Sequence, residues 1–392
     1  MVFSLPYLKR QPLVHYGHAI RENALQHRRL FSYQTRAHPD ARWYHLDLVK
    51  NHTNHHLLLA GREGSLRTFL KRAGPRLEIM ENFIRGDIEK LIDAEIHDSL
   101  KSYSQAIRDE AKKSLEAKTQ VMFLWVTLVL KELRRCFSVK DVRQTLQQVP
   151  HDLDREYHRL LLQLMIRTKG SLAKPSMSMK RARYLLWSVL ACPEPMTEND
   201  LCYAYAMQAN VNGTIEDDLI TTDGIMDACG DLLRVTEGLY HIIHTSASEF
   251  LMRSKNKWEP EDTDISYFQV NLTEAQRSMS LACFTYIRSI DLGYPLTDGS
   301  ASSLSSRYTF FSYVARYLPF HLAEGLQEND QVCLETSKFV RTHHLYALIG
   351  YLVATSQSST QTDFLESMYY WGEIFAATWM QLDQAFNLEL NR

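Results

Sequence analysis

The stretch from Gly238 to Leu251, GLYHIIHTSASEFL, constrains this chain most, because an apolar run ends at a polar corner and passes at once into a helical pattern. A buried strand must feed a helix there. His244, Ser246 and Glu249 crowd this corner, and those residue types invite a hydrolytic triad. No G-x-S-x-G elbow accompanies them, so a structural role is expected instead. Ser246 is expected to cap the helix that runs through Phe250 and Leu251, with Glu249 three residues on completing a capping box. His244 is expected to fix the turn through its ring nitrogens, and Phe250 and Leu251 to be core.

A chain of 392 residues with 45% hydrophobic and 23% charged residues has room for two or three domains with sizeable cores. Its formal net charge of -2 supplies no bulk field favouring nucleic acid or anionic membrane. The six cysteines, at 136, 192, 202, 229, 283 and 333, form no C-x-x-C pair and no closely spaced Cys/His quartet. That usage fits a reducing compartment, and a cytoplasmic location is expected. Lys9 and Arg10 follow the first apolar residues instead of preceding them, which is the wrong order for a signal peptide. The longest apolar run, Val121 to Leu130, is far shorter than the roughly twenty residues a membrane span requires, so it reads as a buried helix.

Residues 1–54 are rich in His and Arg and weak in periodicity, and read as a poorly ordered or degraded segment. His52-x-x-His55-His56 lies at its end, without Cys or carboxylate companions, and no metal site is expected. His56 to Arg62 reads as a short strand with a Gly-Arg corner, and Leu77 to Met80 as another, giving residues 55–84 an α/β character. Residues 85–170 read as helices near 85–99, 103–115, 119–135, 139–147 and 152–167, with Asp87 a candidate N-cap of the first. Residues 181–260 read as three helices and a hairpin, with a capping-box start at Thr197 to Asp200 and Gly230 as a helix C-cap. Residues 264–392 return to helices, near 273–289, 308–323, 330–352 and 364–386. Gly299 to Ser306 and Ser356 to Thr362 read as loops between them. Trp125 and Trp187 sit on apolar helix faces and read as core.

Taken in order, these blocks resemble the C-terminal part of fungal NACHT-type STAND NTPases, an NLR-like signalling family. Phe123-Leu-Trp125, Leu128, Leu133, Val149-Pro150, Leu153 and Tyr157 are similar to that family's helical-arm pattern. Leu186 to Leu190, Pro195-Met-Thr197 and Cys229 to Leu233 resemble its GPI inositol-deacylase-like winged-helix domain, and His244, Ser246, Phe250 and Leu251 match the strand and helix that close it. Phe311 to His321 is similar to a helix after the wing. His56 to Arg62 resembles the strand that bears the family's sensor arginine, and Asp87-Ile88 the start of the next helix.

The resemblance implies a mainly α chain: a helical bundle, a winged-helix domain and a C-terminal helical region, with a short remnant α/β edge. It implies Arg62 and His244 as vestigial nucleotide sensors. Relatives bind ATP and magnesium through G-x-x-x-x-G-K-[ST] and a strand ending in Asp. Neither motif occurs here, since Gly61-x-x-Gly64 lacks the Lys, and His45-Leu-Asp47 is too polar a lead-in to serve as the metal strand. The chain is therefore expected to be a truncated, non-catalytic signalling or scaffold fragment without a cofactor, acting through protein partners or self-association. The alternatives are a switch ATPase whose P-loop lies on another chain, and a winged-helix nucleic-acid binder. The second lacks a basic recognition helix, because Thr222 to Gly230 carries Asp223 and Asp227 and no Lys or Arg.

Overall fold

Apolar residues at helical spacing set most of the architecture. In the computed structural model Ile88, Ile92 and Ile96 form the buried face of α1 (Glu81–Ser99), which packs on Ile107, Ala111 and Leu115 of α2 (Gln105–Lys118). α3 (Phe123–Arg134), α4 (Val139–Gln148) and α5 (Leu153–Arg167) follow. The structure describes residues 81–119, 122–150, 152–168, 175–209, 219–254, 258, 265–292, 300–325, 331–355, 369–372 and 374, all within one unit, Ile79–Arg392. Residues 1–54, both expected strands of 55–84, Arg62, the histidines at 52, 55 and 56 and the loop Ser356 to Thr362 lie outside the described residues. Of the helix expected near 364–386, residues 369–372 and 374 are described, and they are helical.

The chain is mainly α, and its capping chemistry is local. Ser138 Oγ accepts from Asp141 N at 3.1 Å while the Asp141 carboxylate accepts from Ser138 N at 2.9 Å, closing a capping box on α4. Asp152 Oδ1 accepts from Arg155 N at 2.8 Å and caps α5. Asp87 does not act as a cap: α1 begins at Glu81, and the Asp87 carboxylate instead meets Lys90 on the surface at 3.1 Å. The helical stretch 81–86 continues the pattern upstream and leaves no exposed helix end for Asp87 to serve.

α6 (Met177–Ala191), β1 (Met196–Thr197), α7 (Glu198–Ala209), α8 (Thr222–Cys229), a 3-10 turn (Gly230–Leu232), β2 (Leu233–Thr236), β3 (Leu239–Ile242) and α9 (Thr245–Leu251) come next. The strands form one antiparallel sheet in the order β1-β3-β2, with Met196 and Val235 flanking Tyr240 on either side. β1 was not expected, because two residues hold a strand only by pairing with β3. Thr197 nevertheless caps α7, accepting from Asp200 N at 3.2 Å. Glu237 and Gly238 at the β2–β3 turn both have positive φ, 53° and 75°, the pairing a tight right-twisted hairpin requires.

α10 (Leu272–Ser289), α11 (Ser300–Arg307), α12 (Phe311–Gly325), α13 (Gln331–Phe339) and α14 (His343–Thr355) complete the described elements. Two expectations are corrected here. Of the stretch read as a loop at 299–306, residues 300–306 are helical, because α11 buries Leu304 and sets the Ser305 hydroxyl 2.7 Å from Tyr351 Oη. The single helix expected at 330–352 is two, because Thr342 N and Oγ1 both donate to Phe339 O, at 2.9 and 2.8 Å, and close the first helix.

The cores divide inside the helical arm. Trp125, Val126 and Val129 of α3 join α1, α2 and α4 in a smaller cluster. Leu128 of the same helix joins Tyr157, Leu160, Leu161 and Leu164 of α5 in a larger cluster that runs through the sheet and into α14. α5 thus packs with the sheet-bearing region, and each of its fully buried leucines contributes about 1.5–3 kcal/mol. α10 and α12 cross closely enough that a Cβ on Gly325 would lie 2.8 Å from Arg277 N. Only glycine fits that crossing.

Candidate functional site

The corner after β3 brings together the residues the sequence singles out. β3 ends at Ile242, and His244, in an extended conformation (φ -161°, ψ 156°), is the N-cap of α9. Its Nδ1 accepts from Ser246 N at 3.1 Å and lies 2.7 Å from Ser246 Oγ. Ser246 Oγ is in turn 2.7 Å from Tyr157 Oη on α5. Since Nδ1 accepts a backbone N–H, the ring proton sits on Nε2. The consistent direction then runs from Tyr157 O–H to Ser246 Oγ, and from Ser246 O–H to His244 Nδ1.

This corrects the expected cap. Ser246 stands at the second helical position, not at the cap, and its hydroxyl faces across to α5. The residue three after the true cap is Ala247, so no capping box with Glu249 forms. The nucleophile-and-base geometry is present in distance alone, because the one Nδ1 lone pair facing Ser246 Oγ is shared with the Ser246 backbone N–H that it caps. Phe250 and Leu251 are buried as expected, with the Phe250 ring 5.6 Å from that of Tyr157. Burial pushes the Tyr157 phenol above its ordinary range, so it stays a donor at physiological pH.

Around this corner the arm holds the sheet-bearing region by charge as well. Arg159 of α5 reaches Glu156, fully buried, at 2.5 Å and Glu132 of α3 at 3.2 Å. Arg135 and Lys131 of α3 meet Asp231 of the 3-10 turn at 2.9 and 3.5 Å, and Arg167 donates to Asp227 O at 2.8 Å. Arg253, just past α9, pairs with Asp154 of α5 while its guanidinium lies 4.9 Å from the Phe250 ring centroid. A buried pair such as Glu156–Arg159 adds little net stability but penalises loss of either partner, which makes it a device for fixing geometry.

A second polar cluster escaped the sequence reading. His321 of α12 is fully buried, with Nδ1 2.5 Å from Gln276 Oε1 on α10 and Nε2 2.7 Å from Tyr313 Oη. Tyr313 Oη lies 2.6 Å from Cys192 Sγ, and Gln276 Nε2 donates to Ala191 O at 2.8 Å. The chain of bonds ties α10 and α12 to the end of α6. Burial drives the His321 imidazole down to about 3 and pushes the Cys192 thiol and Tyr313 phenol well above their ordinary values. All three are therefore neutral, and each buried polar atom has a partner. The only signal in sequence is a polar residue on an otherwise apolar helix face.

Of the two expected nucleotide sensors, His244 is placed at the corner with its ring exposed, and Arg62 lies outside the described residues. Trp125 is fully buried and donates from Nε1 to Pro150 O at 2.7 Å, while Trp187 is buried under the Arg183 guanidinium, 4.3 Å from its ring centroid. The six cysteines are free thiols, four of them buried. Among the described residues no group of three or more His, Cys, Asp or Glu is placed to hold a metal ion, and no helix is long and apolar enough to cross a membrane. No family model, curated protein or solved structure matches this chain.

Proposed function

We propose that the chain is a non-catalytic signalling or scaffold fragment of the NACHT-type, NLR-like class, working in the cytoplasm by protein–protein packing. The observation that carries this reading is the Tyr157–Ser246–His244 corner, whose chemistry-bearing side chains join α5 of the arm to α9 beside the sheet. The order helix, strand, helix, helix, strand, strand from α6 to β3 supports a winged-helix reading of that region. A wing tied to an arm by hydrogen bonds and ion pairs suits a part that transmits position between layers. Protein partners or further copies of the chain are its expected ligands.

The second reading, a nucleotide-dependent switch whose P-loop is supplied by another chain, draws on one feature. Capping uses His244 Nδ1 and leaves Nε2, on an exposed ring, for another acceptor. A nucleic-acid role has no such support, because α8 carries no Lys or Arg to meet a groove. Calorimetric titration of the purified chain with ATP and magnesium separates the first two readings. The scaffold reading predicts no binding heat, and micromolar binding would overturn it.

A further inference from the structure

We propose that the His244 corner is a protonation-sensitive joint, closed while the imidazole is neutral and loosened when it takes a second proton. The geometry requires this. Nδ1 accepts from Ser246 N at 3.1 Å, and it can do so only with its lone pair free. A proton on Nδ1 would set two donors face to face and leave the Ser246 backbone N–H without that acceptor. It would also reverse the 2.7 Å contact with Ser246 Oγ, since the serine hydroxyl could no longer donate to the ring. Ser246 Oγ would then accept from both the ring and Tyr157, so the loosening falls on the uncapped start of α9.

The charged and titratable groups around the joint come from each element packed there. α5 contributes Asp154, paired with Arg253, and Glu156, paired with Arg159, together with Tyr157 and His158. α9 contributes Glu249, and β3 contributes His241. Burial, and after it the carboxylates of Asp154, Glu156 and Glu249, hold the Tyr157 phenol above its ordinary range, so it remains the donor to Ser246. Imidazole is the side chain whose charge changes between about pH 5 and 8, which sets the range a test must span. The inference needs only the corner's geometry and stands apart from the signalling reading above.

His244→Asn tests it, because asparagine is a good N-cap that keeps an acceptor for Ser246 N and does not titrate. Hydrogen exchange of the α9 amides, corrected for intrinsic rates, is compared between the full-length protein and this variant at about pH 8 and about pH 5. Both chains carry His321, so any global acid effect cancels in the ratio. Protection of α9 in the wild type relative to the variant should be near parity at the higher pH and fall about fivefold at the lower, the loss expected for one capping bond. A ratio that does not change with pH overturns the proposal. The ring nitrogen spectrum of the wild type gives an independent reading: an Nε2–H tautomer at the higher pH is required, and an Nδ1–H tautomer overturns the joint even if the variant fails to fold.

Discussion

Replacing Trp125 with alanine is expected to lower the free energy of unfolding by about 4 kcal/mol, the range for deleting a large aromatic side chain from a closed core. Trp125 is fully buried among α1, α2, α3 and α4. Its Nε1 donates to Pro150 O at 2.7 Å, just before the segment enters α5. Truncation would therefore leave a cavity in the smaller core and strip the carbonyl at the entry to α5 of its donor. Urea unfolding followed by far-UV circular dichroism measures the loss. Phe137→Ala is the matched control: Phe137 is 96% exposed, so its removal should change stability by no more than about 0.5 kcal/mol. Equal effects at the two sites would mean that the arm has no closed core.

Acid should weaken the fold steeply, through His321. Burial lowers its folded value to about 3, against 6.5 for the free side chain. Between those two values the unfolded chain binds a proton that the folded chain refuses, so stability falls as pH falls. The slope is up to about 1.4 kcal/mol per pH unit. Above the unfolded value the contribution is flat, because neither state is protonated. His321→Gln removes the titrating group and keeps a donor and an acceptor for Gln276 and Tyr313. The variant should lose stability at neutral pH yet show a shallower acid slope, by about one proton, in unfolding measured across the window. An unchanged slope would show that His321 accepts its proton in the folded state.

Local chemistry was readable in the sequence. Ile88, Ile92 and Ile96, or Tyr157, Leu160, Leu161 and Leu164, recur at helical spacing, and their burial follows from that period alone. Thr197 also acts within one turn of itself, so its cap could be read directly. What the sequence hid depends on partners far along the chain. β1 exists because Met196 meets Tyr240 across the sheet, and α11 is held where its Ser305 hydroxyl lies 2.7 Å from Tyr351 Oη. The cap of α9 was misassigned for a related reason. Serine is the commoner cap, but the place where β3 stops pairing puts His244 at the helix start and leaves Ser246 to reach Tyr157. The polar chain through Gln276, His321, Tyr313 and Cys192 is the extreme case, since no spacing within a single helix announces bonds between three helices.

The corner of His244, Ser246 and Tyr157 is a joint between arm and sheet, not a reactive centre. A double-mutant cycle on Tyr157→Phe and Ser246→Ala probes this, because it isolates the hydroxyl contact that crosses from α5 to α9 at 2.7 Å. A structural joint predicts that each single change destabilises the fold and that the two are coupled by about 1 kcal/mol. Additivity within about 0.3 kcal/mol would rule out the joint, since the two hydroxyls would then make no bond that holds the arm to the sheet.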